Sequence, residues 1–271
     1  MKRSASVAGQ FYESSPERLC RQVSGFVDKD ARKIKALGVV APHAGLMYSG
    51  GVAGAVYSRI ETPGTFIMLG PNHTGLGRPV SLMSEGVWEV PTGSLAIDER
   101  LAGKLKAHSP EIAGIVAEDS LAHQLEHSLE VQLPFILHFS PEVKILPIAM
   151  MSLPLETCRI VGEALADIAE DSPYPVTIVA SSDMSHYESD ARARKKDRRA
   201  IERILALDPE GLYRTVKEEG ISMCGVVPAT TMLFAAVKQG AGEASLVKYM
   251  TSGEVSGDYD YVVGYAGIII S

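Results

Sequence analysis

Short apolar runs alternate with amphipathic stretches from one end of the chain to the other. The apolar runs are rich in Val and Ile and are bounded by Gly, Pro or Ser, which predicts strands. They fall at Leu37–Ala41, Phe66–Gly70, Val80–Ser84, Val143–Ala149, Val176–Ser181, Leu246–Thr251 and Tyr261–Ile270. The stretches with helical spacing predict helices over Pro16–Val27, Gly51–Ile60, Asp98–Ala107, Glu126–Phe139, Leu155–Glu170, Asp190–Ala206, Pro209–Glu218 and Val227–Lys238. Asp208 followed by Pro209 is a helix start, with a capping carboxylate and a proline that needs no N–H partner at the first helical position. No repeat, low-complexity tract or Pro/Gly/Ser-rich linker interrupts the alternation. Alternation of this kind builds an α/β layered sandwich around a parallel or mixed β-sheet.

Several predicted strands run straight into ionisable residues. ALGVVAPHAG carries His43, TFIMLGPNHTG carries His73, and VTIVASSDMSHY carries Asp183 and His186. Open α/β sheets bind ligands outside the carboxyl ends of their strands, so these side chains should meet at one edge. A single His after a strand is usually structural, but two Gly-punctuated His turns of the same kind favour a shared site. Neutral imidazole is the commonest transition-metal ligand, and carboxylate or thiolate often completes the set. Two imidazoles and one anion leave positions open for water or substrate, as in mononuclear iron and catalytic zinc centres. A further His nearby can move protons.

Other features were weighed against that centre. Cys224 precedes the predicted Val227 helix, whose dipole favours a thiolate, although a buried Cys is more often a small hydrophobe. Cys20 and Cys158 fall on apolar helix faces and are expected in the core. His123, Glu126 and His127 match the H-x-x-E-H pattern, and on a helix both His would share a face. A zinc-dependent hydrolase on this motif would leave His43, His73 and His186 without a role, and Pro134 interrupts the helix soon after. Gly50 and Gly51 could open an anion-binding helix start, but no nucleotide motif accompanies them. The basic run Arg192–Arg199 is interleaved with acids and reads as a solvated face. Ser181-Ser182 lacks the setting of a hydrolase nucleophile.

Composition narrows the classes. The 271 residues are 46% hydrophobic and 22% charged, enough for a sizeable core. A net charge of −7 and a pI near 5.5 argue against a general nucleic-acid binder. Lys2 and Arg3 are not followed by an apolar stretch, so no signal peptide is expected, and no run is long enough to span a bilayer. Three widely spaced cysteines fit neither a disulfide framework nor a zinc ribbon. A reducing, cytoplasmic setting without membrane contact is the expectation.

Together AGQFY, PHAGLMYSG, GPNHTG, EHSLEVQLPF, SSDMSHY and MCG resemble the Memo family, in order from Val7 to the terminal YVVGYAGI. The resemblance covers nearly the whole chain and implies one domain over residues 1–271. It also implies a fold like the class III extradiol dioxygenases, a central mixed sheet flanked by helices. In that superfamily two His and one Glu hold iron(II), and another His serves as acid and base. By motif, His43 and His73 match the two ligand His and His186 matches the acid/base His. Cys224 stands at the carboxylate ligand's place, while Asp183 and His127 line the pocket. A thiolate shifts preference toward copper(I), zinc or a differently tuned iron, so iron or copper is the expected cofactor and ring cleavage is not implied. Glu13 departs from the Pro the family often carries after AGxFY, a local turn change. The implied partners are a small-molecule or peptide ligand and, in a microbial setting, AMMECR-type and radical-SAM proteins. Two readings follow: a metal-dependent oxidoreductase, or a non-catalytic binding module that kept the dioxygenase-like cleft.

Overall fold

The computed structural model describes residues 1–271. Nine strands form the central sheet: β1 (Gly38–Ala41), β2 (Thr65–Pro71), β3 (Val80–Leu82), β4 (Ala117–Glu118), β5 (Lys144–Met150), β6 (Val176–Ser181), β7 (His186–Glu188), β8 (Ala244–Thr251) and β9 (Val262–Ile270). The order is β7-β9-β1-β6-β2-β5-β3-β4, with β8 also paired to β9. The middle strands β1, β6, β2 and β5 are parallel. The flanking pairs β9–β1 and β5–β3 are antiparallel, so the sheet is mixed.

Side chains along the middle strands sort by parity, as the two-residue period of a strand requires. Val40, Ile67, Leu69, Leu146, Ile148, Ile178 and Ala180 join the core on one face. Val39, Phe66, Met68, Ile145 and Val179 join the core on the other. Both faces are therefore covered, which is why these strands read as continuous apolar runs rather than alternating ones. Helices Leu155–Glu170, Asp190–Leu205, Pro209–Glu218 and Val226–Lys238 supply the first cover, and Pro16–Ser24, Leu46–Arg59 and Leu133–Phe139 the second. At Asp208 the expected cap forms, its carboxylate accepting from Gly211 N–H at 2.8 Å. No helix is long and apolar enough to cross a membrane.

Three expectations need correction, and one element was not foreseen. The helix expected over Glu126–Phe139 begins only at Leu133, after a single 3-10 turn at Glu130–Gln132. Pro134 has no N–H and its ring clashes with the carbonyl four residues back, so the ladder cannot run back through it. Residues 126, 128, 130 and 132 instead turn their polar side chains inward. Gly50 and Gly51 do not open a helix, because that helix starts at Leu46. Gly50 is there for packing: a Cβ would lie 2.5 Å from the Phe26 ring. Cys20 is exposed, on the outer side of its helix, whereas Cys158 is buried as expected. The short sheet of Lys2–Arg3, Val87–Val90 and Gly93–Ala96 had no counterpart in the sequence reading.

That short sheet leads to a buried ion pair that ties the chain's start to the segment ahead of Leu133. Arg3 and Glu130 pair with side-chain exposures of 3% and 0%. Glu130 also accepts from Ser6 N–H at 2.9 Å, Ser6 Oγ at 2.9 Å, Val7 N–H at 3.1 Å and the Tyr12 hydroxyl. Arg3 donates in turn to the carbonyls of His123 at 3.0 Å and Glu126 at 2.7 Å, and lies over the Trp88 ring. A buried carboxylate so surrounded tolerates loss of its cation poorly, because the remaining charge stays in a low-dielectric interior. Arg3→Met should therefore lower unfolding free energy by about 3 kcal/mol in denaturant titrations. A loss under about 1 kcal/mol, the range of an exposed pair, would show that the pair is not a structural tie.

Candidate metal centre

β6 enters the sheet between β1 and β2, and this sets the site. Ala41 pairs with Ser181 and Leu69 with Ala180, so three carboxyl ends lie side by side. The loop after β1 carries His43 and the loop after β2 carries His73. The chain leaving β6 carries Asp183 and then His186. Cys224 arrives from the other side, ahead of the Val226–Lys238 helix. Gly225 allows this approach, since a Cβ there would lie 2.4 Å from both the Ser181 carbonyl and the Ser182 Cβ.

His43 is 1% exposed. Its backbone N–H donates to Asp183 Oδ1 at 2.8 Å, and Ala44 N–H donates to the same oxygen at 3.3 Å. On its ring, Nδ1 lies 2.9 Å from Ser181 Oγ and Nε2 lies 3.4 Å from Cys224 Sγ. His73 sits in a loop held by Asn72, whose side-chain oxygen accepts from Thr74 and Gly75 N–H. Its Nδ1 lies 2.9 Å from Glu126 Oε1. The same carboxylate oxygen lies 3.5 Å from His127 Nδ1 and accepts from Ser128 N–H at 2.9 Å. One buried carboxylate thus holds the His73 ring and lies beside that of His127.

The rings of His73 and His127 stack at 4.7 Å, and the His43 ring stands edge-on to both, at 5.3 and 5.5 Å. Phe11 closes the far side of His127 at 4.6 Å. One ring nitrogen from each of His43, His73 and His127 lies within 4.8 Å of the others, a geometry that could hold one metal ion. His186 stands apart from this trio. Its Nδ1 faces the Ser222 carbonyl at 2.8 Å, and its backbone N–H donates to Ser222 Oγ. Beside it Tyr187 sits at a register shift between β7 and β9 with φ 58°, and its ring is 74% exposed. Bulges with a left-handed residue re-aim side chains next to functional sites.

Burial pushes the His43 imidazole well below its ordinary range, and the neighbouring imidazoles push the same way. Burial also lowers His127, against the pull of Glu126. Both are therefore neutral near pH 7 and available as nitrogen donors. For Glu126 burial acts upward, but the hydrogen bond and charge of His73, the Ser128 N–H and His127 outweigh it and hold the carboxyl at about 2. Burial raises Asp183, opposed by the His43 and Ala44 N–H groups. The Cys224 thiol is raised by desolvation around its sulfur and then by Asp183. The helix beside it was expected to favour a thiolate, but the thiol is raised, with desolvation and Asp183 outweighing the hydrogen bonds to its sulfur.

Of the six residues singled out from sequence, the structure brings His43, His73 and His127 into one cluster with Cys224 and Asp183 against His43. The H-x-x-E-H pattern does not close into a site. His123 is fully buried against Trp88 at 5.5 Å, with Nε2 3.0 Å from the Ser81 carbonyl. Without the expected helix, His123 and His127 share no face. Glu126, Ser181 and Gln132 were not recognised as site residues. A signal for two of them was present: Glu, Ser, Glu and Gln stand at every second position of EHSLEVQ, alternating with His, Leu and Val.

A family model described as Memo-like protein matches residues 3–269. A MEMO1 family protein of Methanopyrus kandleri is 42% identical over 283 residues, covering 99% of this chain and 99% of the relative. Another from Methanosarcina mazei is 44% identical, covering 99% of this chain and 98% of the relative. Among solved structures, the uncharacterized protein JW3007 from Escherichia coli K12 covers 87% of this chain and all of its own, with TM-score 0.55 and 12% identity. At that identity the likeness is one of fold alone.

His123 gives the corner beside the cluster a pH dependence. Desolvation holds its imidazole down at about 4, against 6.5 for the free group. The folded state thus excludes a proton that the unfolded chain binds. This contribution is complete above about pH 6.5 and is lost as pH falls toward about 4. From about pH 7 to about pH 5 it should cost roughly 2 kcal/mol of stability. His123→Gln keeps a donor for the Ser81 carbonyl and should flatten this part of the stability–pH profile. Identical profiles for the two proteins would show that His123 takes up its proton freely in the folded state.

Proposed function

The chain belongs to the Memo-like protein family, and on that premise we propose that it is a non-haem metal protein with redox activity, related to the class III extradiol dioxygenases. One observation carries the reading: one ring nitrogen from each of three imidazoles lies within 4.8 Å of the others, and a single buried carboxylate binds one of the rings and lies beside a second. The donor set is nitrogen with a sulfur beside it, which suits iron, copper or zinc rather than magnesium or calcium. His43 and His73 are the ligands common to any such centre. His127 completes a three-nitrogen set for iron(II) or zinc, while Cys224, 3.4 Å from His43 Nε2, offers the soft donor that copper(I) prefers. A bound ion would supply electron transfer or polarise a substrate oxygen.

The protein's own residues do the rest. Glu126 accepts Nδ1–H of His73, fixes its ring and raises its basicity as a donor. Asp183 holds the His43 backbone. His186, anchored through Ser222, keeps one ring nitrogen free to take or give a proton at the edge of the site.

Anaerobically purified protein should hold about one iron or copper per chain, as one such site allows. The double variant His43→Ala, Cys224→Ala should lose it; unchanged metal content would reject the assignment. Glu126→Gln should bind the same metal about 10- to 100-fold more weakly, the usual cost of removing a carboxylate behind a ligand His. Equal affinity in a competition titration would mean the carboxylate serves only folding.

A further inference from the structure

Two of the clustered imidazoles have an anion, Glu126, beside Nδ1, and His73 is hydrogen-bonded to it. His43 has none there. Its Nδ1 faces a neutral hydroxyl, Ser181 Oγ, and the direction of every hydrogen bond around that hydroxyl is forced. Gln132 Nε2 lies 3.0 Å from the Pro42 carbonyl, which can only accept, so the amide nitrogen of Gln132 is on that side. The same nitrogen donates to Ser181 Oγ at 2.9 Å. The amide oxygen on the other side accepts from the buried Tyr57 hydroxyl at 3.0 Å. Ser181 has one proton, and it goes to the Ser128 carbonyl at 2.7 Å, another group that can only accept. What remains toward His43, at 2.9 Å, is a lone pair.

We propose that Gln132 and Ser181 are positioning residues that hold His43 as its Nδ1–H tautomer, so that the Nε2 lone pair faces the other imidazoles and Cys224. The opposite tautomer would set two lone pairs against each other between fully buried side chains. The relay spans three parts of the fold: Tyr57 on the Leu46–Arg59 helix, Gln132 ahead of the Leu133–Phe139 helix, and Ser181 at the end of β6. It also grips the residue before the ligand, since Gln132 donates to Pro42. An amide is required at position 132. A carboxylate there would face the Pro42 carbonyl with no proton to share. The site thus contains one ligand backed by a neutral relay and another, His73, backed by a carboxylate, an asymmetry in donor strength built in by the groups behind them. The role as a ligand support rests on the metal reading above; the tautomer itself does not.

The test uses full-length, metal-free protein labelled with 15N-histidine. Long-range 1H–15N correlation distinguishes the two tautomers, and loss of one signal set in His43→Gln assigns His43. The expected result is an Nδ1–H pattern for His43 in the wild type. An Nε2–H pattern would overturn the proposal whatever the variants do. Ser181→Ala should release the ring to a mixture of tautomers and weaken Co2+ binding about 10-fold or more, and Ser181→Thr, which keeps the hydroxyl, should restore both. Gln132→Met should shift the tautomer in the same direction as Ser181→Ala. A Ser181→Ala protein that keeps the single tautomer and full Co2+ affinity would overturn the relay. The tautomer is read without metal, so a wild type that binds no Co2+ would sink the metal reading and leave this result to stand or fall separately.

Discussion

Parallel pairing of β6 between β1 and β2 is the constraint on which the site depends. Hydrogen bonds along that ladder align Ala41 with Ser181 and Leu69 with Ala180, and each strand then releases its chain at the same edge. Strands so enclosed are buried on both faces, and slipping by one residue would exchange the two cores. The register that the cores enforce therefore also sets the spacing of His43, His73 and Asp183. The chemistry at the edge is tied to hydrophobic packing several residues away.

Above that edge the polar layer has three levels. The imidazoles form the inner one. Behind them, Glu126 binds His73 and lies beside His127, while Ser181 and Gln132 stand behind His43. Behind those, the Arg3–Glu130 pair fixes the backbone that delivers Glu126, because Arg3 donates to the carbonyls of His123 and Glu126. The first dozen residues are thus part of the site's support: Phe11 lies on His127, and its carbonyl accepts from Leu46 N–H at 2.7 Å, where the next helix begins. Charge in this layer is kept low by burial. His43 and His127 are held neutral, and the carboxylates are matched to N–H donors.

Much of the frame was legible in the chain. Apolar runs marked the parallel strands, and Asp208-Pro209 marked a helix start to the residue. The strand-end rule pointed to His43, His73, Asp183 and His186. The basic run Arg192–Arg199 was read as a solvated face, and it forms ion pairs with Glu188, Asp190, Glu202 and Glu219. What misled was periodicity between residues 126 and 132. Leu129 and Val131 there alternate with Ser128, Glu130 and Gln132, a two-residue period rather than a helical one, and the partners of Glu130 and Gln132 lie on Arg3, Ser6, Tyr57 and Ser181, far away in sequence.

Local sequence was sufficient wherever the deciding force is local: dihedral preference, capping, and the period of apolar side chains seeking cover. These determined the element types, the α/β class and the edge at which the polar residues gather. Tertiary structure decided the rest because hydrogen-bond direction and desolvation depend on groups that meet only after folding. Nothing in the order of residues says that one carboxylate will face both His73 and His127, that His123 will be sealed beside Trp88, or that the Cys224 thiol will be raised rather than lowered. Those outcomes belong to the packing of distant segments, where burial sets the cost of each charge and each unpaired proton.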